Sequence, residues 1–486
     1  MALRALALEI VRRLQTAGFS AYWVGGCVRD FLLGREPEDY DVATNAVPDQ
    51  IEKLFPHTVP VGRQFGVVLV IEEGHQFQVA TFRAESDYQD GRHPGHVTFG
   101  DAKADALRRD FTVNGLFFDP IRNQLHDWVG GEADLRARML RTIGSPQERF
   151  AEDHLRLLRA VRLAAQLDFQ IEPETFSAIQ SNAAKIRAIS AERIRDELLK
   201  LFNPSAFGVP PSGGGARLPA RDRAESLASP KTGPPEGGTP NGLRAARGLD
   251  LLRDSGLLQE ILPEIAETLD CEQSPDFHPE GNVYQHIRLM LSQLPENADP
   301  SLPWVILLHD VAKPQTAARD PHSGSMHFYG HEKIGAEMAE EILDRLKFPR
   351  KQTEEIVECV RHHMQFKDAP NMRKATVRRL ILRPTFPLEL ELHRLDCLGS
   401  HGRLDVYDYL IREAEELSKL PARLPPLVNG DDLIGLGVKP GPALGALLTE
   451  IRDKQLQEEL TSREEAVNWA RKKIAAMPMP VSPTSS

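Results

Sequence analysis

At 486 residues the chain is too long for one hydrophobic core, and its 27% charged and 41% hydrophobic residues fit a soluble protein of three or four domains. A formal net charge of −11 argues against a protein that coats nucleic acid nonspecifically, so any RNA must be met by local basic patches. Cys27, Cys271, Cys359 and Cys397 are scattered with no CxxC pair, which excludes a zinc knuckle and suits reduced thiols in a cytoplasm.

The stretch MALRALALEIVRRL reads as an amphipathic helix with arginines inside it rather than as a signal peptide, and no apolar run approaches a membrane span. From Ala21 to about Asp127 the pattern is mixed α/β. AYWV reads as a strand, GG as a turn, CVRDFLLG as a helix, DYDVAT as a second strand, and VVLVIEEGHQFQVATF as two β-rich runs around a turn. After about residue 146 apolar residues recur at helical spacing, as in HLRLLRAVRLAAQL and ERIRDELLKLF. Residues 204–242, rich in Pro, Gly and Ser, read as a disordered insertion at a helix–helix loop. From about 271 to 400 the chain is helical and rich in histidine, and a tail containing NGDDLIGLGVKPGPALGALL follows. The expected class is α+β: a head with a small mixed sheet (1–145), an all-α neck with the insertion (146–270), a histidine-bearing body (271–400) and a helical tail (401–486).

Two aspartates, Asp39 and Asp41, stand one residue apart in a run that looks like a strand. Residues i and i+2 of a strand share a face, so the carboxylates repel unless they lie in water at a strand end or hold a cation. Upstream, Gly25 and Gly26 sit at a strand-to-helix junction where backbone N–H groups can approach a phosphate, and Arg29 lies one turn into the helix. A lone GG is more simply a tight turn. Together with the carboxylate pair it suggests a Mg²⁺ site that positions a nucleoside triphosphate for in-line attack.

FRAESDYQDGRHPGHVTF (82–99), RRDFTVNG (108–115) and EDHLRLLRAVR (152–162) follow in order. With these the chain closely resembles the class II tRNA nucleotidyltransferase and bacterial poly(A) polymerase family. The resemblance implies a nucleotidyltransferase head in which Asp39 and Asp41 bind Mg²⁺ and are catalytic. It further implies that Gly25, Gly26 and Arg29 hold the triphosphate, that Arg109, Asp110 and Asn114 contact ribose and phosphates, and that Asp153 and Arg156 read the base with support from Arg159 and Arg162. Read from the residues, positions 153, 156 and 159 lie near one helix face, drifting by about 60° per three-residue step. A carboxylate beside a guanidinium can accept from an amino group and donate to the adjacent ring nitrogen, which admits C and A and rejects U and G. A solvated helix face with i,i+3 ion pairs is the plainer alternative. Two departures from the family stand out: Gln78 where many members carry a third acidic residue, and Gly115 where alanine is usual, read as neutral.

A second constellation runs through His286, His309–Asp310, His331, His362–His363 and Asp396. It resembles the HD metal-dependent phosphohydrolase domain, which implies one divalent ion on His286, His309, Asp310 and Asp396 and a second assisted by His331 and His362. Imidazole with carboxylate suits several metals, so the ion's identity stays open. In the tail, N–H groups after PGP could hold an RNA phosphate, with Lys439 the residue to test, or the turn is only a helix start. The expected activity is template-independent addition of C and A from CTP and ATP to the 3′ end of tRNA, with no protein partner and no membrane. A-only addition, poly(A) synthesis, and a phosphohydrolase whose head merely binds RNA are the alternatives.

Overall fold

The computed structural model describes residues 3–61, 63, 66–88, 94–202, 240–274, 278–322, 326–418, 426–457 and 459–476. Within Leu3–Thr16 the residues at helical spacing, Leu6, Ile10, Val11 and Leu14, are buried against the first sheet. The nine head strands are β1 (Ala21–Val24), β2 (Asp41–Thr44), β3 (Thr58–Val59), β4 (Val67–Glu72), β5 (His75–Thr81), β6 (Arg83–Tyr88), β7 (Pro94–Phe99), β8 (Phe117–Asp119) and β9 (Gln124–His126). Seven of them form one sheet in the order β3-β4-β5-β2-β1-β8-β9, while β6 and β7 pair apart as a hairpin. Within the large sheet only β2 and β5 run parallel, with Val42 opposite Val79.

Side chains alternate across this sheet. Trp23, Val42, Phe77 and Val79 face the main core, whereas Val24, Ala43, Phe82 and Phe117 form a small cluster on the other face. Asp41, two residues before Ala43, belongs to that second face.

The neck is built on Leu155–Leu167, which packs against Ala191–Phe202 and Pro240–Asp254. It is not purely helical, since a parallel pair, Met139–Leu140 with Gln170–Ile171, ties the end of the head to it. The histidine-bearing body likewise carries a short antiparallel pair, Ala318–Arg319 with Met326–His327.

Residues 204–239 of the expected insertion lie outside the described residues, but 240–242 do not belong to a loop. They open the helix Pro240–Asp254, where Asn241 is buried and donates from Nδ2 to the Pro295 carbonyl at 3.1 Å. A Cβ on Gly242 would stand 2.2 Å from the Ser292 carbonyl oxygen, so glycine serves close helix packing there. Composition alone does not reveal such a tertiary partner. Gly115 is also not neutral: an alanine Cβ would lie 2.8 Å from Val129 Cγ2 and 3.0 Å from Ile143 Cδ1.

The main core runs from Leu6 to Leu395. A second cluster joins Phe366, Val377 and Phe386 to Leu410 and Ala414, crossing position 400, and a third, Val428 to Ala470, belongs to the tail. No helix among the described residues is long and apolar enough to cross a membrane.

Candidate active site and metal centre

The turn after β1 places Gly25 at φ 74° and ψ −132°, a conformation open to glycine, as the cap of the helix Gly26–Leu32. A Cβ on Gly25 would approach Arg109 Nη1 to 3.1 Å, and one on Gly26 would approach Arg29 Nη2 to 3.6 Å. The two guanidinium groups therefore converge on the glycine turn. Arg29 Nη1 donates to Asn114 Oδ1 at 2.7 Å, while its Nε and Nη2 reach Asp30 at 2.9 Å each. Arg109 lies over the Phe117 ring, 5.0 Å from its centroid, and is held by Asp105 at 3.1 Å.

Beside this turn stand the two aspartates. Asp41 opens β2, but Asp39 precedes the strand and is exposed, so the pair sits at a strand entrance rather than within one strand face. Burial, the Asp39 charge and incomplete compensation by Arg109 push Asp41 up to about 6. Asp39 is raised as well: its carboxyl is partly desolvated although the residue as a whole is exposed, and the Asp30 charge adds to this, with Arg29 opposing. Two carboxyls that resist ionising together form a donor set that a divalent cation relieves, and Mg²⁺ takes one or two carboxylates plus substrate phosphates. Gln78 is exposed on β5, and the Val42–Val79 register sets it next to Asp41 where a third carboxylate would stand.

Asp110 is buried. Its Oδ2 accepts from Arg159 Nη2 at 2.5 Å and Nε at 2.9 Å, and its Oδ1 accepts from the Phe111 amide at 2.8 Å. Burial would raise its carboxyl, yet Arg159 more than offsets that and holds it down at about 2. Asn114 Nδ2 approaches the same Oδ1 at 3.4 Å. Arg29, Asn114, Asp110 and Arg159 thus form a continuous strut from the glycine turn to the neck.

The helix-face geometry expected for Asp153 does not hold. Asp153 lies in an extended break between Pro146–Glu152 and Leu155–Leu167 and accepts from the Leu155 amide at 3.1 Å, because carboxylates favour helix entrances over helix interiors. Its side chain pairs with Arg193 at 3.1 Å rather than with Arg156. Arg156 is buried, bonded to Glu152 at 2.5 Å and to the Arg149 carbonyl at 3.0 Å. Arg162 pairs with Glu197 at 2.5 Å. Arg193 and Glu197 were missed in the sequence because their contacts are set by helix packing, whereas Glu152 pairs with Arg149 and Arg156 at three- and four-residue spacing that the sequence displays. Residues 89–93 of the 82–99 loop lie outside the described residues. Lys439 is exposed in the turn before Pro442–Leu456.

In the body, His286, His309 and Asp396 form one cluster, and Asp310, His331 and His363 another, with the ligand atoms of each cluster within 4.8 Å of one another. His363, not His362, completes the second. The buried residues Ile356, Cys359 and Val360 mark the inner face of Arg350–His362, and position 363 continues that spacing while 362 turns away to Glu358 at 3.2 Å. That periodicity was legible in the sequence. Nδ1 of His309, His331 and His363 lies 2.7–2.8 Å from a backbone carbonyl oxygen, which only accepts, so each Nδ1 carries the proton and each Nε2 presents a lone pair inward.

The Nε2 atoms of His331 and His363 face one another at 3.1 Å, while those of His286 and His309 each lie 3.1 Å from a carboxylate oxygen, of Asp396 and Asp310 respectively. Imidazole nitrogens and carboxylate oxygens that converge in this way form a donor set that fits a divalent metal. Burial lowers His286, but Asp396 and Glu280 more than offset it, raising it to about 9. Burial alone would raise Asp310, but His309 and Lys313 hold it well below the usual carboxylate range. Glu280, 2.7 Å from His286 Nδ1, and Lys313, 2.7 Å from Asp310, complete the surroundings.

Three stretches of the chain are similar to known protein families. Residues 21–141 match the poly A polymerase head domain, 168–206 the probable RNA and SrmB-binding site of polymerase A, and 282–398 the HD domain. The chain thus carries a stretch similar to a polymerase head and a stretch similar to an HD domain. Its fold is that of solved CCA-adding enzymes. The Bacillus stearothermophilus enzyme in complex with CTP superposes with a TM-score of 0.68 over 98% of both chains at 24% identity. The Thermotoga maritima enzyme complexed with tRNA gives 0.55 over 97% of this chain and 95% of that one, at 17% identity. Among curated proteins, the CCA-adding enzyme of Staphylococcus aureus strain MRSA252 is 46% identical over 197 residues, 40% of this chain and 49% of that one. The chain spans about half the length of the curated relatives it matches.

Proposed function

We propose that this protein is a template-independent nucleotidyltransferase that adds C and A from CTP and ATP to the 3′ end of tRNA, in the cytoplasm. The observation that carries this reading is the pair Asp39 and Asp41, raised in pKa and set beside a glycine turn on which Arg29 and Arg109 converge. Asp39 and Asp41 would hold Mg²⁺, which supplies positive charge to acidify the attacking 3′-hydroxyl and neutralise the triphosphate. Gly25 and Gly26 let phosphates approach the backbone, and Arg29 and Arg109 orient the phosphate oxygens. Arg29 and Asn114 bear on the strut through Asp110 and Arg159, so a nucleotide held at the turn is also fixed against the neck.

Base selection falls to Asp153 and Arg156, which exchange Arg193 and Glu152 for the nucleotide edge as CTP or ATP enters. Arg162 supports the neck side through Glu197. Lys439, exposed before the last tail helices, is positioned for an RNA phosphate, and a normal tRNA KM in Lys439→Ala would remove that contact. The HD clusters fit a phosphohydrolase acting on phosphomonoesters or 2′,3′-cyclic phosphates at damaged RNA ends.

The match to a poly A polymerase head favours a second reading, A-only or poly(A) addition. One assay separates them: tRNA ending before CCA, Mg²⁺, and labelled CTP alone, ATP alone, or both. Extension by two residues with CTP and a third on adding ATP supports CCA addition. A single A, or a long tract from ATP, supports the second reading. No incorporation, with phosphate release from a 2′,3′-cyclic end, would leave the head as an RNA-binding platform.

A further inference from the structure

A cavity of about 410 Å³ opens where the head meets the neck, at the opposite end of Leu155–Leu167 from Asp153. At 1.5 Å rise per residue it lies about 18 Å along that helix from the base-reading residues. Four arginines line it, Arg35, Arg138, Arg244 and Arg247, against one acid, Asp168. Such a concentration of positive charge is out of keeping with a chain whose net charge is −11.

Among the described residues only Arg247 of the four has side-chain partners: it pairs with Asp168 and donates from Nη2 to the Phe169 carbonyl at 2.6 Å. Among the described residues, the side chains of Arg35, Arg138 and Arg244 have no hydrogen-bond or carboxylate partner. Helix C-termini attract cations, and Gly26–Leu32, Gly131–Ala137 and Leu155–Leu167 all end at this cavity. That attraction does not account for Arg244, which lies near the start of Pro240–Asp254, at the positive end of its helix. Among the described residues, neither Arg35 nor Arg138 bonds a terminal carbonyl with its side chain. Arg35 and Arg138 are exposed and hydrated, yet four guanidinium groups around one cavity set up a positive potential that an anion with several oxygens relieves. The remaining wall is apolar, from Leu33, Leu167 and the half-exposed Leu243, and such a surface accepts a ring while the arginines take the charge.

We propose that this cavity is a second phosphate-binding site, separate from the catalytic turn, which takes the phosphate groups of a nucleotide. The same chemistry is offered by a free nucleoside triphosphate and by the backbone of bound RNA.

The test titrates the full chain, with EDTA present, using sodium tripolyphosphate, ATP, and a 3′-phosphate-blocked RNA oligonucleotide as separate probes. Arg138→Ala/Arg244→Ala should lose one equivalent of tripolyphosphate and ATP, which Arg109→Ala at the catalytic turn retains. If instead only oligonucleotide affinity falls, by about tenfold or more, the phosphates are those of RNA. Both side chains are partnerless, so the melting temperature should hold, and Arg138→Lys/Arg244→Lys should keep the binding. Unchanged stoichiometry and affinity for all three probes in the alanine variant would overturn the proposal.

Discussion

The two candidate metal sites are built on opposite plans. In the HD body four imidazoles converge, each with its Nδ1 proton fixed by a carbonyl or by Glu280, so that the protein supplies a nearly complete ligand shell. The head offers two carboxylates at an open strand entrance, one exposed, with a neutral Gln78 beside them. The first plan pre-organises a metal. The second leaves coordination to be completed by what arrives, which suits a site whose substrate carries its own phosphate oxygens.

The largest effect should come from the head. Asp41→Asn should lower nucleotide incorporation by about 10³-fold or more, measured with Mg²⁺ and tRNA lacking CCA. The same change should raise the melting temperature of metal-free protein. Asp41 has a folded pKa near 6, above its unfolded value, so it favours the fold only while protonated, and that contribution is lost as pH rises through 6. The half-buried charge then costs about 1–2 kcal/mol at pH 7.5. Melting of wild type and variant in EDTA should converge near pH 4, and coincidence at both pH values would break the account of the pair.

Next in size is the strut. Asp110→Ala leaves Arg159 unpaired and should cost about 2–4 kcal/mol in denaturant unfolding at neutral pH. Here the sign is opposite: the folded pKa is depressed to about 2, so the stabilisation is present above the unfolded value and fades as pH falls through 2. The gap between wild type and variant should therefore shrink in strong acid.

In the HD body, His363→Ala should weaken divalent metal binding by about 10–100-fold, read by metal content after dialysis. His362→Ala should change it by less than about twofold, because that ring faces Glu358. A reversed ranking would place the second cluster wrongly. The smallest effect is in proton traffic. His286 is raised to about 9, so its Nε2 is protonated at pH 7.5 until a metal displaces the proton. Calorimetric metal titrations in buffers of differing ionisation enthalpy should reveal that release, whereas the head should release fewer protons at the same pH.

Much of the fold was legible beforehand. The turn at Gly25, the helix after it, the paired strands β4 and β5 and the neck helices follow from local propensity and period, which operate over a few residues. The residues of the two candidate metal clusters were legible by motif, and even His363 could have been chosen over His362 from the spacing of Ile356, Cys359 and Val360. What stayed hidden were partners distant in the chain. Nothing near Asp153 announces Arg193, nothing near Asp110 announces Arg159, and Gly242 looks like linker until Ser292 is seen against it.

The amino-acid sequence alone determined which residues are candidates for the chemistry, because reactive groups and turn-forming glycines are properties of residue type and short spacing. Only the tertiary structure decided which of them are free to act. Asp110 carries a reactive group yet is engaged by Arg159 within the protein, while Arg138 and Arg244, unremarked in the sequence, line a cavity. Charge pairing depends on distances of a few ångströms between segments far apart in the chain, and only packing sets those.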